Sequence, residues 1–249
     1  MARIERSRVE EVLSEGYDFE LGDYIKLGFD EFKEEWLMYS LYGLVACMIL
    51  MLSFFTVIGF VLLLYPTMLG FAVASDKRNE NGKISFSDFF DAYKNFGSHA
   101  VISLIVLLAY LILYVPMLLI FGLTTFVFED FPQLGIFSFF GSFFFIFVAI
   151  LIVYFVMIGL FFAPYLIHYG GYSGTEAARE SFRLAFKNFW WLLLFVIVTG
   201  VIGGIGQYLC LVGMFASLAV ASLMNYSMIK KVLMTDTHNE IEEIGNANI

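Results

Sequence analysis

Residues 173–191, SGTEAARESFRLAFKNFWW, decide how this chain is built. The stretch predicts a surface helix that runs directly into a membrane span, because its apolar and charged residues recur at helical spacing and an apolar run follows Trp190. Its start carries a capping box, Ser173-x-x-Glu176, and Ser85-x-x-Asp88 is a variant of the same box before a second predicted surface helix. The aromatic residues predicted on its apolar face are Phe182, Phe186 and Phe189.

The same arrangement occurs three times along the chain. The sequence AFKNF at 185–189 is echoed by AYKNF at 92–96 and more loosely by EFKEE at 31–35, and a long apolar run follows each. These echoes predict an internal repeat with units at about 21–75, 83–168 and 173–232. In the first two units the aromatic residues predicted at the membrane interface are Phe29, Phe32, Trp36, Phe89, Tyr93 and Phe96.

Composition places the chain in lipid. Of its 249 residues, 60% are hydrophobic and only 15% are charged, and the mean hydropathy is +0.83. That much apolar surface cannot be hidden in a water-soluble core, so the expected surrounding is the lipid bilayer. The net charge of -9 resides in segments outside the apolar runs and argues against a nucleic-acid partner.

The apolar runs predict the number of spans. Residues 37–75 contain no charge and are long enough for two spans of about 20 residues each. Residues 98–168 and 190–229 supply two further hairpins, and 76–82 is expected to be a polar loop. We therefore expect an all-α, polytopic membrane protein with six transmembrane helices as three hairpins, each preceded by an amphipathic interfacial helix. One membrane domain, 21–232, is flanked by tails at 1–20 and 233–249.

Few residues inside the predicted spans can carry chemistry. The candidate helix kinks are Pro66, Pro116 and Pro164, because proline removes a backbone hydrogen bond. The side-chain amides Gln207 and Asn225 are candidates for hydrogen bonds between helices. Proton relays and ion-coupled carriers keep ionisable groups at depth, and none is predicted there. The sequence thus predicts no catalytic, cofactor-binding or metal site.

Two histidines and one loop are further candidates for a metal or cofactor site. His99 begins the third predicted span and His168 ends the fourth, so both are expected near the same membrane interface. A haem or metal site would need further ligands, and ordinary interfacial histidines are favoured. Residues 77–88 partly match a calcium-binding loop, but Lys77 stands where the first carboxylate is needed, which favours a polar turn.

The basic residues predict the orientation. Of 14 Lys and Arg, five lie in 1–36, four in 76–97, three in 168–190 and two after 229, all on one side of a six-span chain. The positive-inside rule then places both termini in the cytoplasm.

Several short motifs resemble a known group. The repeated Ala-[Phe/Tyr]-Lys-Asn-Phe, Tyr65-Pro66-Thr67, Ala163-Pro164-Tyr165 and Asn225-Tyr226 resemble six-span bacterial membrane proteins related to the membrane domain of glycerophosphodiester phosphodiesterases. The resemblance covers roughly residues 20–232 and implies a bacterial cytoplasmic membrane protein without an enzymatic domain. Residues 16–24 also resemble Bacteroidota proteins sometimes labelled carotenoid oxygenases. That activity is not expected, because it needs a histidine cluster around iron and the chain has three histidines.

Two functions fit this sequence. The first is a non-enzymatic scaffold or accessory subunit of a membrane complex, with a protein partner or a second copy bound through the spans or the cytoplasmic surface helices. The alternative is a transporter or flippase for a lipid or another apolar small molecule, for which proline-bent spans and a lateral opening would suffice.

Overall fold

The structure is a computed structural model that describes residues 3–130, 135–208 and 210–234. Within these ranges the chain is helical, apart from one isolated antiparallel bridge between Ile4 and Met234, so the all-α class is confirmed there. The predicted connection around Pro132 and the acidic segment after 234 lie outside the described residues. The helices are α1 (Arg6–Glu15), α2 (Leu21–Glu34), α3 (Trp36–Ser53), α4 (Val57–Asn81), a 3-10 helix (Phe86–Asn95), α5 (Phe96–Asp130), α6 (Gly135–Gly159), α7 (Ala163–Gly170), α8 (Gly174–Lys187), α9 (Phe189–Ile205), a 3-10 turn (Gly206–Tyr208) and α10 (Cys210–Leu233).

Five helical segments in the described part of the chain are long and apolar enough to cross a bilayer. By length and composition they indicate a membrane protein. The sixth predicted span, the 24-residue helix α10, is not among them. The five segments are Trp36–Ser53, Ile58–Asn81, Phe86–Pro116, Phe143–Gly170 and Phe189–Tyr208.

Helix α4 continues further than the sequence predicts. Residues 76–82 were expected to form a loop, but α4 extends to Asn81 and ends at Gly82, whose φ of 72° is a left-handed conformation that glycine adopts without strain. Asp76, Lys77 and Arg78 therefore lie in the last turns of a helix. Their side chains are half-buried or buried against neighbouring elements, and these contacts stabilise the extra turns.

The segments before α3, α5 and α9 begin largely as predicted. Ser173 Oγ accepts a hydrogen bond from the Glu176 N–H at the start of α8, and Ser85 and Asp88 form a reciprocal capping box. The second of these segments is a 3-10 helix instead of an α-helix. Helices α2 and α8 both join the next helix through one non-helical residue of similar conformation, Glu35 (φ -135°, ψ 39°) and Asn188 (φ -130°, ψ 47°).

The N-terminal segment is packed against the rest of the chain, although the sequence predicted a polar tail. Ile4, Val9 and Val12 are buried in the main core. The Ile4 N–H donates to the Tyr169 carbonyl at 3.2 Å, and Arg8 Nε donates to the Val232 carbonyl at 3.2 Å. A hydropathy profile does not predict the burial of Ile4, Val9 and Val12, because charged residues separate them in the sequence.

Helices α4 and α10 hold the bundle together. Helix α4 packs against α3, α5, α7, α10 and the 3-10 helix, and α10 packs against α1, α2, α3, α4 and α9. Glycines allow the closest approach to α10: a Cβ on Gly28 would lie 2.7 Å from the Met224 backbone nitrogen, and one on Gly43 would lie 2.6 Å from the Phe215 carbonyl oxygen. Small residues therefore set the spacing of α2 and α3 from α10.

Candidate functional site

Polar side chains collect at the end of the bundle where α4, α7 and α10 meet. Successive residues of a helix point about 100° apart, so Asp76, Lys77 and Arg78 at the end of α4 face different neighbours. Asp76 meets α10, Lys77 meets the 3-10 helix, and Arg78 meets α2. The end of α4 thus connects three elements through three charged residues.

A buried carboxylate occupies the centre of this region. Asp76 is 5% exposed, and the Tyr226 hydroxyl donates a hydrogen bond to its Oδ1 at 3.3 Å. The Tyr226 ring stacks on that of Tyr169, with centroids 6.1 Å apart. A carboxylate removed from water requires such donors. We call Asp76, Tyr169 and Tyr226 the polar centre.

An ion pair lies beside the polar centre. Arg78 Nη1 and Glu31 Oε1 are 3.1 Å apart, and their side chains are 14% and 17% exposed. The Tyr39 hydroxyl donates to Glu31 Oε1 at 2.9 Å, and Arg78 also pairs with Glu34. The pair therefore links α2, α3 and α4 in a partly desolvated environment, where charge–charge attraction is stronger than in water.

Two lysines tie further elements together. Lys77 Nζ lies 2.9 Å from Asp88 Oδ1 and also contacts Asp91, which joins α4 to the 3-10 helix. Lys231 Nζ on α10 lies 2.5 Å from Glu20 Oε2 and 2.6 Å from Asp23 Oδ2 at the start of α2. The hydrogen bond from Lys231 holds the pKa of Asp23 below its ordinary value. These bases and acids compensate one another across helices.

The two histidines singled out in the sequence are shielded by the protein to different degrees, His99 completely and His168 in part. His99 is fully buried on α5, and Nδ1 of His168 on α7 accepts a hydrogen bond from the Asn95 amide nitrogen, 3.4 Å away. Asn95 lies four residues before His99 in the chain, so its contact with His168 brings α7 to the start of α5. Among the described residues there is no group of three or more His, Cys, Asp or Glu side chains suited to a metal ion.

The nine aromatic residues predicted at the interface occupy different environments. Phe89 is fully buried and stacks on Tyr42 at 4.2 Å, and the Tyr93 hydroxyl lies 2.7 Å from Thr67 Oγ1. Phe32, Phe182 and Phe189 are partly buried, and Phe32 stacks on Tyr39. The exposed members are Phe29 (38%), Trp36 (57%), Phe96 (38%) and Phe186 (41%). Part of the set packs the protein, and part is available to lipid or a partner.

The three prolines differ in their effect on the helices that contain them. Pro66 is buried and Pro116 is exposed, and both lie within continuous helices, α4 and α5. Pro164 lies in the first turn of α7, directly after residues 160–162 interrupt the helix between α6 and α7. Proline is tolerated in a first turn because no helical bond to its nitrogen is needed there.

The two amides also differ. Gln207 is exposed in the 3-10 turn between α9 and α10, outside both helices. Asn225 is half-buried in α10 beside Tyr226 of the polar centre, and its Oδ1 is buried without a hydrogen bond in the described structure. Asn225 is next to Tyr226 in the sequence, but successive residues of a helix point about 100° apart, whereas Gln207 lies outside both helices.

A second feature is a lateral groove between α5 and α6. It has a volume of about 260 Å³ and is open along one side. Its lining is apolar apart from tyrosine hydroxyls, and comprises Tyr110, Leu113, Tyr114, Ile146, Ala149, Ile150, Val153 and Tyr154. Both walls belong to segments that can cross a bilayer. An apolar chain would fit its chemistry.

Sequence reasoning missed the polar centre and the ion pair. Asp76 and Arg78 were assigned to a loop, and Glu31 and Tyr226 were not considered as partners. The available signal was the position of Asp76 directly after the apolar run and of Tyr226 beside Asn225. Comparison of the chain with protein-family models, with curated proteins and with solved structures finds no match.

Proposed function

We propose that the chain crosses the membrane six times as three hairpins, with repeats at about 21–75, 83–168 and 173–232 that are related by approximate threefold symmetry. The packing pattern supports this. Helix α2 packs on α10, the 3-10 helix on α4, and α8 on α7. In each case the segment before a hairpin lies against the second membrane segment of the preceding unit, and the third unit takes the place of the preceding unit for the first.

The first segments of the hairpins follow the same rule. Helix α3 packs on α4 and α10, α5 packs on α6 and α4, and α9 packs on α10 and α6. Each therefore contacts its own hairpin partner and the second arm of the preceding unit. Helix α10 fits as a sixth span because Ser222, Tyr226 and Ser227, which lower its hydropathy, are buried and would not meet lipid.

The orientation we propose places both termini in the cytoplasm of a bacterial cell and the spans in its cytoplasmic membrane. The distribution of Lys and Arg supports this. So does the bridge between Ile4 and Met234, which brings the two ends of the described chain to one end of the bundle. The proposed kinship with six-span bacterial membrane proteins agrees with the same location.

The function that the geometry supports best is a non-enzymatic scaffold or accessory subunit that binds a protein partner or a second copy through its spans. The observation that carries it is the exposed surface of α5 and α6. At helical spacing, the exposed residues cover more than half of the circumference of each helix. They include Leu108, Leu111, Ile112, Tyr114, Val115, Leu118 and Leu119 on α5, and Phe143, Phe144, Phe147, Ile150, Leu151, Ile152 and Phe155 on α6.

Site-specific photocrosslinking in native membranes tests this proposal. A benzophenone amino acid at Leu111 or Phe144 should give a discrete protein adduct, and the same residue at Met48, an exposed position of α3, should not. Mass spectrometry of the adduct would distinguish a partner from a second copy. Lipid adducts alone at all three positions would contradict the proposal.

The groove between α5 and α6 favours a second candidate, a transporter or flippase for a lipid or apolar molecule. Filling the groove by Val153→Trp should then abolish lipid scrambling in proteoliposomes. The neighbouring change Ile152→Trp, at a residue that does not line the groove, should leave scrambling intact. Wild-type protein that scrambles no faster than empty liposomes would remove this candidate.

A further inference from the structure

A group of buried polar atoms between α5 and α7 lacks hydrogen-bond partners. These atoms are Nδ1 and Nε2 of His99, Oγ of Ser103 and Nε2 of His168, and none has a partner within the described part of the chain. The residues His99 and Ser103 are 0% exposed. The missing hydrogen bonds are therefore concentrated in a part of the protein that bulk water does not reach.

These atoms belong to one cluster. His99 and Ser103 are four residues apart on α5 and so lie on the same face, one turn from each other. Helix α5 packs on α7, which carries His168, and His168 contacts Asn95, four residues before His99 in the chain. Asn95 holds the other nitrogen of His168 at 3.4 Å. We call His99, Ser103 and His168 the histidine cluster.

Bare polar atoms would make this cluster unfavourable. A buried donor or acceptor without a partner keeps the full penalty of its lost hydration, and native proteins contain few such atoms. When several occur together, ordered water usually satisfies them. Four atoms on three neighbouring side chains therefore indicate an occupant.

The chemistry of the cluster defines that occupant. A neutral imidazole offers one donor and one acceptor, and a serine hydroxyl offers both. With the Asn95 amide nitrogen donating to Nδ1 of His168, the proton of that ring is on Nε2, which then needs an acceptor. The occupant must both donate and accept, as water does. A protonated Nε2 cannot ligate a metal ion, and the described residues contain no three-ligand group.

We propose that one or two internal water molecules bridge His99, Ser103 and His168 and form a water-mediated joint between α5 and α7. His168, the α7 member of this joint, follows shortly after residues 160–162, which interrupt the helix that α6 and α7 would otherwise form. Water there holds two membrane segments together without a direct side-chain bond. This inference does not depend on the function proposed above.

The direction of stability change in two variants tests the proposal. Thermal unfolding of the full-length chain in mild detergent would be followed by tryptophan fluorescence for Ser103→Ala and His99→Leu. If water bridges the cluster, each variant leaves the remaining members short of a partner and lowers the midpoint by about 2–4 °C. The double variant should fall by less than the sum of the two, because both changes disrupt one water site.

A matched serine serves as the control. Ser222 is buried in α10, and its hydroxyl donates to the Leu218 carbonyl of its own helix at 2.9 Å. Ser222→Ala should change the midpoint by less than about 1 °C, because such bonds contribute little to helix stability.

Three results would overturn the proposal. If the cluster is dry, Ser103→Ala and His99→Leu remove unsatisfied atoms and raise the midpoint. If a metal ion is bound, a chelator lowers the midpoint of the wild type but leaves that of His99→Leu unchanged. If the variants fail to fold, an experimental density map of the wild type provides the test. The absence of density for a water molecule within hydrogen-bond distance of Ser103 Oγ or a His99 ring nitrogen would contradict the water site.

Discussion

Arg78 and Glu31 form a partly buried ion pair, so removal of either residue leaves the charge of the other without its partner. Desolvating an ion pair is costly, and the arrangement is tolerated because Tyr39 and Glu34 provide further hydrogen bonds to the two charges. The pair also connects three elements. Its contribution is therefore to fix how α2, α3 and α4 meet.

Arg78→Ala should destabilise the protein by about 1–3 kcal/mol, because it leaves Glu31 partly buried without its cation. Lys33→Ala is the control, because Lys33 lies on α2, the helix that carries Glu31. Lys33 pairs with Asp30 at 3.0 Å, but these side chains are 69% and 49% exposed, so its loss should cost less than about 0.5 kcal/mol. Unfolding by SDS in mixed micelles measures both, and equal effects would contradict the importance of burial.

The contact of Lys231 with Asp23 makes the attachment of α2 to α10 acid-sensitive. Asp23 has a folded pKa below its ordinary 3.8, so its contribution is present above pH 3.8 and is lost as pH falls through the lower folded value. The unfolding midpoint should therefore drop more steeply for the wild type than for Asp23→Asn between about pH 4 and pH 2. In a Lys231→Gln background, Asp23→Asn should no longer alter this slope.

At the scale of helices, the contact between α2 and α10 depends on the absence of a side chain. Gly28→Ala should destabilise the protein by about 1–3 kcal/mol, because the added Cβ meets the Met224 backbone, which cannot move aside. Gly22→Ala on the same helix meets nothing within 4 Å and should be neutral or slightly stabilising. Denaturant unfolding compares the two, and a neutral Gly28→Ala would show that the helices can separate.

The elements could be predicted from the sequence where the signal is local. The apolar run 37–75 and the capping residues Ser85 and Ser173 depend on neighbours a few positions away, and the structure agrees with them. The last turns of α4 were missed because their support comes from Glu31 on α2 and Asp91 on the 3-10 helix. No window of hydropathy contains such tertiary partners.

The candidate site could be predicted only in part for the same reason. The sequence singles out Asn225 as an amide within an apolar run, and in the described structure it is half-buried in α10 with its Oδ1 buried. Asp76 and Tyr226 lie 150 residues apart in the sequence, and only the packing of α4 on α10 brings them together. The depth of His99 depends equally on the elements that cover it.

At the scale of the whole molecule, the six-span proposal fixes which loops share a side of the membrane. With Cys47 and Cys210 replaced by Ala, single cysteines would be introduced at the exposed positions Asn81, Arg179 and Gln207. A maleimide that cannot cross membranes should label Gln207→Cys in intact cells and the other two only after permeabilisation. Labelling of Arg179→Cys in intact cells would contradict the topology.

The bridge between Ile4 and Met234 imposes an order on biosynthesis. Ile4 is translated before the apolar helices of the described chain, whereas Met234 follows α10. Val9 and Val12, which are buried in the finished protein, lie on α1, and α1 packs on α8 and α10, so their cover is completed only when both helices have been made. A chain stalled before α10 would leave part of this apolar segment exposed to chaperones and proteases. Synthesis of α10 completes its cover and removes this sign of an unfinished chain.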